Sequence, residues 1–207
     1  MFFVKTPFWL KKVFKNYVWS ISTKEKVIYL TFDDGPHPKA TPFVLEQLDK
    51  YNAKATFFCI GKNIVLYPDV YQKVIDNGHT VGNHTHNHLN GWKTDLNTYL
   101  TNIDKASKLI SSKLFRPPYG RIKRQQGREL RERGFKIIMW EVLSGDFDRT
   151  LSGEKCFRNI AENAGKGSII VFHDSEKAFS NLNYSLPPVL EYFSKQGYIF
   201  KGISDIF

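Results

Sequence analysis

Asp33 and Asp34 are adjacent carboxylates in the stretch Thr31-Phe32-Asp33-Asp34-Gly35-Pro36, and four of the six histidines fall between positions 79 and 88. Neighbouring residues leaving a strand point to opposite sides. One carboxylate can therefore hold a cation while the other handles protons. In His84-Thr85-His86-Asn87-His88, positions 84 and 88 share a face if the chain turns into a helix, with Cβ atoms about 6 Å apart. That suits two imidazole ligands, with His86 directed elsewhere. Two His and one Asp leave coordination positions open, as a catalytic metal centre requires. The same set could hold non-haem iron for oxygen chemistry. The remaining residues favour hydrolysis, which needs a base, an acid and an oxyanion stabiliser. Asp33 is available as base and His173 as acid, with Arg116 and Asp146 to orient them.

Such residues act together only if the fold brings them to one face. Short β-branched or aromatic runs occur at residues 27–32, 55–60, 79–83, 114–116, 136–140, 168–172 and 198–201. Most of the intervening stretches have helical spacing. The clearest is 94–112, where Leu96, Tyr99, Leu100, Ile103, Leu109 and Ile110 form an apolar stripe. Pro42 and Pro68 suit first helical turns, and Gly78 suits a helix C-terminus. Seven strands alternating with helices predict an α/β fold with a parallel sheet, open or closed into a barrel. In such folds reactive groups collect beyond the carboxyl ends of the strands. Asp33-Asp34, His84 and His88, Arg116, Asp146, and His173-Asp174 all fall at those positions.

The 207 residues, 42% of them hydrophobic, suit one folded domain and exclude wholesale disorder. Neither of the two cysteines sits in a Cys-x-x-Cys pair, so a thiolate zinc site is excluded, and both are expected as buried, unpaired thiols. The longest apolar runs have four residues, against the ~20 that a membrane-spanning helix needs. The formal charge of +10 is concentrated: residues 1–26 carry a net +5 and residues 113–136 a net +7, which leaves −2 elsewhere. Arg128, Arg131 and Arg133 read as an exposed helix face with Glu129 and Glu132 as partners, so no nucleic-acid partner is expected. The aromatic, basic segment 1–24 is interrupted by Lys5, Pro7, Lys11 and Lys12 and is not read as a cleavable signal. Its aromatics either pack on the domain, the favoured reading, or make a weak contact with an anionic membrane surface through Phe8, Trp9, Val13 and Phe14. A cytoplasmic or membrane-peripheral location is expected.

Four ordered motifs then carry a resemblance: Thr31-Phe32-Asp33-Asp34-Gly35-Pro36, His84-Thr85-His86-Asn87-His88, Arg116-Pro117-Pro118-Tyr119-Gly120 and Val171-Phe172-His173. The chain resembles the polysaccharide deacetylases, the NodB-homology or family 4 carbohydrate esterase proteins, over about residues 25–203, within a domain expected at 25–207. The resemblance implies a distorted (β/α)7 TIM-like barrel in a single domain. It implies a divalent metal, usually Zn2+ with Co2+ an alternative, held by Asp34, His84 and His88. By the same resemblance Asp33 is the general base, paired with Arg116, and His173 the general acid, oriented by Asp146. The Tyr119 backbone N–H is the oxyanion donor and Phe147 a wall of the substrate pocket. The substrate implied is an acetylated glycan of chitin-oligosaccharide or bacterial cell-wall type.

One segment departs from the family pattern. Where the family often has Asp-Ser-x-Asp-Trp, this chain has Leu143-Ser144-Gly145-Asp146-Phe147. Asp148 could replace Asp146 if the loop is shifted by two residues. Other hydrolase readings are an acetylxylan esterase or a cyclic-imide amidase. A carbohydrate-binding module that kept the fold but lost the chemistry is disfavoured, because Asp33, the histidines or His173 would have degenerated first.

Overall fold

A computed structural model describes residues 2–203; Met1 and residues 204–207, the extremities of the two expected segments, lie outside the described residues. After a short helix α1 (Phe8–Val13) come β1 (Val27–Asp33), α2 (Ala40–Asp49), β2 (Thr56–Cys59), α3 (Gly61–Leu66), α4 (Pro68–Asp76) and β3 (Thr80–Asn83). They are followed by α5 (Leu96–Ser107), β4 (Leu114–Phe115), α6 (Arg124–Glu132), β5 (Lys136–Ile137), β6 (Val142–Leu143), α7 (Gly153–Ala161), β7 (Ile169–His173), α8 (Phe179–Lys195) and β8 (Ile199–Phe200). The sheet runs β5-β4-β3-β2-β1-β7-β6, with β8 beside the first residues of β1. Every strand pair is parallel, so the reactive strand ends point the same way. The curled sheet with its outer helices is the distorted barrel expected.

The central strand β1 is buried along all seven residues. It reads as a nearly continuous apolar run because helices cover one face of the sheet and the barrel interior fills the other. The largest core cluster joins Leu30, Phe32 and Phe172 to Val44, Leu48, Val189 and Leu190 of the helices. Pro68 opens α4, and Gly78 follows it at φ 69°, as the sequence signals require. Helix α5 is shorter than the expected 94–112: Asp95 caps its start and Ser107 is its last residue. Cys59 and Cys156 are buried and unpaired.

The strand expected over 136–140 is cut short as β5 at Ile137, and an unexpected strand β6 follows at Val142–Leu143, which makes eight strands in place of seven among the described residues. The cause lies at Ile138 and Met139, whose carbonyls accept from the buried Arg116 guanidinium at 3.2 and 2.8 Å. Those carbonyls point into the barrel and not toward a neighbouring strand. The N-terminal segment lies along the same stretch. Val18 pairs with Ile138, Lys5 with Val142, and Ser20 with Ser168. Trp19 is buried, and Leu10, Phe14 and Tyr17 pack on the second core cluster. No helix of the described residues is long and apolar enough to cross a membrane.

Candidate metal and catalytic site

Asp33 ends β1, and its buried carboxylate accepts from Arg116 Nη1 at 2.8 Å. Arg116 lies immediately beyond β4 and is fully buried. It also donates to Thr31 Oγ1 at 2.6 Å and to the two carbonyls named above, and its guanidinium lies 4.2 Å over the Phe58 ring. The guanidinium thus makes four hydrogen bonds without any carboxylate at position 143. Replacing Arg116 with Leu strands Asp33 as an unpaired buried charge. The expected loss is about 3–5 kcal/mol of folding stability, measurable by urea unfolding of the two proteins side by side.

The adjacent Asp34 does not point away from its neighbour as strand geometry predicts. Its φ is 80°, which takes it out of the strand, and both carboxylates line one cleft of about 800 Å³. Thr85 (φ 64°), His88 (φ 57°) and Tyr119 (φ 60°) are also left-handed, so four of the five non-glycine residues with positive φ among those described sit at this site. For a β-branched residue such as Thr85 that conformation is strained, and strain of this kind persists only where the surroundings hold it.

The loop from His84 to His88 is not the helix that the four-residue spacing suggested. The left-handed turns bring the two rings together, with centroids 5.1 Å apart. Asn83 and Asn102 hold the loop. Asn83 Oδ1 accepts from Thr85 N at 2.8 Å, and Asn102 Oδ1 accepts from the N–H groups of His86 and Asn87 at 2.8 and 2.9 Å. Neither asparagine was singled out in the sequence. Asn83 could have been suspected from its place just before His84, but Asn102 lies on a helix sixteen residues away and carries no local signal.

The donor atoms of Asp34, His84 and His88 all lie within 4.8 Å of one another. His84 Nδ1 is 2.8 Å from the Arg116 carbonyl, which can only accept. The proton therefore sits on Nδ1, and the Nε2 lone pair faces the cleft. Burial is the main reason that the His84 pKa falls to about 4, so the ring is neutral at neutral pH. Burial opposes ionisation of Asp34, but His88, His173 and His84 outweigh it and hold the carboxyl well below the usual range. Asp34 Oδ1 is buried without a hydrogen bond, although His88 Nε2 is 3.0 Å away. An anionic oxygen and two imidazole nitrogens converging on one point suit a divalent cation. His86 is not part of the set; its backbone N–H binds Asn102.

On the far side of the cleft, His173 at the end of β7 pairs twice with the buried Asp146. Its Nδ1 and its backbone N–H lie 2.7 Å from the two carboxylate oxygens. Asp148 is half-buried and hydrogen-bonds Thr150, not His173, so the loop is not shifted and Asp146 is the partner. Burial lowers the His173 pKa, but Asp146 overrides it, and the imidazole is raised to about 9. Phe147 meets the His173 ring edge-on at 5.1 Å and lines the cleft, as does Leu143. The Tyr119 ring packs at a tilt against His88, with centroids 4.6 Å apart, and the Tyr119 N–H finds no backbone acceptor among the described residues. Asp174, noted only for its place after His173, supports the site from behind. Its carboxylate accepts from Gly35 N at 3.1 Å and Thr41 Oγ1 at 2.5 Å. A Cβ at position 35 would lie 2.1 Å from that carboxylate, so only glycine fits.

A parallel α/β barrel whose strand ends join an Asp-His-His donor set, an Asp–Arg pair and a His–Asp pair defines a metal-dependent hydrolase of acyl groups. A family model described as polysaccharide deacetylase matches residues 20–138. The chain is 34% identical over 194 residues to a peptidoglycan-N-acetylglucosamine deacetylase of Bacillus cereus, with 91% of each chain covered. It is 35% identical over 161 residues to a chitooligosaccharide deacetylase of Azorhizobium caulinodans, covering 74% of this chain and 76% of that one. The crystal structure of the Bc1960 peptidoglycan N-acetylglucosamine deacetylase superimposes with a TM-score of 0.89 at 30% identity, covering 98% and 97% of the two chains. Other curated relatives are longer: this chain spans 63% of one and 39% of another. The protein belongs to the polysaccharide deacetylase family.

Proposed function

We propose that this protein removes N-linked acetyl groups from N-acetylglucosamine residues of a peptidoglycan-type or chitin-oligosaccharide glycan. One observation carries the reading: the Asp34-His84-His88 triangle lies in a cleft flanked by Asp33–Arg116 and His173–Asp146. This is the division of labour that amide hydrolysis needs. The relatives named above, one acting on peptidoglycan and one on chitooligosaccharides, share N-acetylglucosamine as the acetylated unit.

The metal we assign is Zn2+, which two imidazoles and one carboxylate suit while leaving positions free. Held by Asp34, His84 and His88, a divalent ion would supply Lewis acidity toward the acyl oxygen and the attacking water. The side chains do the rest. Asp33, fixed by Arg116, takes the proton from the attacking water. The Tyr119 N–H stabilises the negative charge that develops on the acyl oxygen. His173, kept protonated by Asp146, gives its proton to the departing glucosamine nitrogen, which is a poor leaving group until protonated. Phe147 and Leu143 supply an apolar wall against the substrate.

Metal-loaded protein incubated with N-acetylglucosamine oligomers and with peptidoglycan fragments should release acetate and expose free amines. No acetate from either, with the metal bound, sinks the reading. Acetate from acetylxylan alone would make the protein an esterase.

The pH profile tests His173 separately. Activity that needs the protonated imidazole is full below its pKa and falls as pH rises through about 9. A bound dication lowers this limit, since it repels the imidazolium. Asn in place of Asp146 removes the strongest support for the charged form. The descending limb of kcat against pH should therefore move to lower pH in Asp146→Asn. A limb at the same pH in both proteins excludes His173 as the acid. The pair also contributes stability, which is complete below the ordinary His pKa of about 6.5 and lost as pH rises through the raised value.

A further inference from the structure

The two basic stretches that are far apart in the sequence meet in the fold. Val13, Phe14 and Tyr17 of the first and Arg124, Arg128 and Arg131 of the second line one groove of about 500 Å³. Beside it Phe8, Trp9 and Val13 of α1 are 70%, 60% and 55% exposed. At 100° per residue, Phe8, Lys12, Trp9 and Val13 fall within an arc of about 140°. The opposite side of α1 faces the protein, where Leu10 packs on the core and Lys11 pairs with Glu141. Lys12 Nζ lies 4.7 Å over the Phe8 ring, and Lys12 and Lys15 are exposed. On α6, Arg124, Arg128 and Arg131 recur at helical spacing and are all exposed; the nearest carboxylate, Glu132, is 3.9 Å from Arg128.

We propose that this joint face of α1 and α6 seats on an anionic lipid surface, with the arginines at the headgroup phosphates and Phe8, Trp9 and Val13 at the acyl boundary. The apolar side chains decide between polyanions. A polynucleotide would neutralise the arginines but leave Phe8 and Val13 in water. A bilayer interface takes both, and it favours tryptophan at that depth. None of these residues lines the catalytic cleft, so binding and hydrolysis are separable.

The test is flotation of the 207-residue chain with phosphatidylcholine vesicles, with and without phosphatidylglycerol. The chain should float with the anionic vesicles only, and less so as salt rises. Each cation near the surface contributes about fivefold to binding. Arg124→Gln, Arg128→Gln and Arg131→Gln combined should therefore weaken binding roughly a hundredfold. Phe8→Ser, Trp9→Ser and Val13→Ser combined should also abolish flotation. Both variants should keep full acetate release from soluble oligomers, which shows that they fold. No flotation of the unaltered chain, equal flotation of the variants, or retention by duplex DNA but not by vesicles would overturn the proposal.

Discussion

Asn in place of Asp33 is expected to lower kcat for acetate release by about 10³-fold, within the range for loss of a general base, with the metal content unchanged. The expectation rests on what Asp33 touches. Its carboxylate is 4% exposed, is held at 2.8 Å by Arg116, and lies outside the Asp-His-His triangle. The amide keeps the volume, and its oxygen can still accept from the guanidinium, so the barrel survives. What is lost is the capacity to take a proton. Ala at the same position is a poorer probe, because it leaves Arg116 buried and partly unpaired. Elemental analysis and kinetics on one preparation separate the outcomes. A silent enzyme with its metal in place supports the base role, and loss of metal together with activity would move Asp33 into the ligand set. Near-normal turnover would remove it from the chemistry.

His88→Ala is expected to lose metal and activity together, the second large effect. His84 is the less informative choice for the same experiment. It is 2% exposed, and its Nδ1–H donates to the Arg116 carbonyl, so its removal disturbs the core as well as the centre. His88 is more exposed and makes its closest polar approach to Asp34. Loss of an outer-shell partner costs metal sites about 10–100-fold in affinity, and loss of a ligand should exceed that. After dialysis the variant should hold no stoichiometric metal, and excess Zn2+ should restore only part of the turnover. Full metal occupancy in His88→Ala would show that the triangle is not the binding site.

The local part of the site was legible because strands and helices report themselves through periodicity. Asp33, His84, Arg116 and His173 could be placed beyond strand ends by counting. The resemblance then assigned roles that spacing alone left open. Misreadings came where backbone torsion departs from regular geometry. Strand alternation sends Asp33 and Asp34 apart, but a left-handed Asp34 puts both in one cleft. Helical spacing pairs His84 with His88, but a strained loop pinned by Asn83 and Asn102 does the pairing. The break between β5 and β6 was invisible because it answers to Arg116, some twenty residues away.

The sequence by itself determined the alternation of elements, the order of the motifs and the inventory of carboxylates and imidazoles. Those depend on residue type and on near neighbours along the chain. Tertiary structure alone decided which groups work together. Arg116 reaches Asp33 across 83 positions, and Asp146, not Asp148, meets His173 because the loop keeps its register. It also decided that two separate basic stretches form one face, since charge counted along a chain says nothing of which charges become neighbours until the sheet closes.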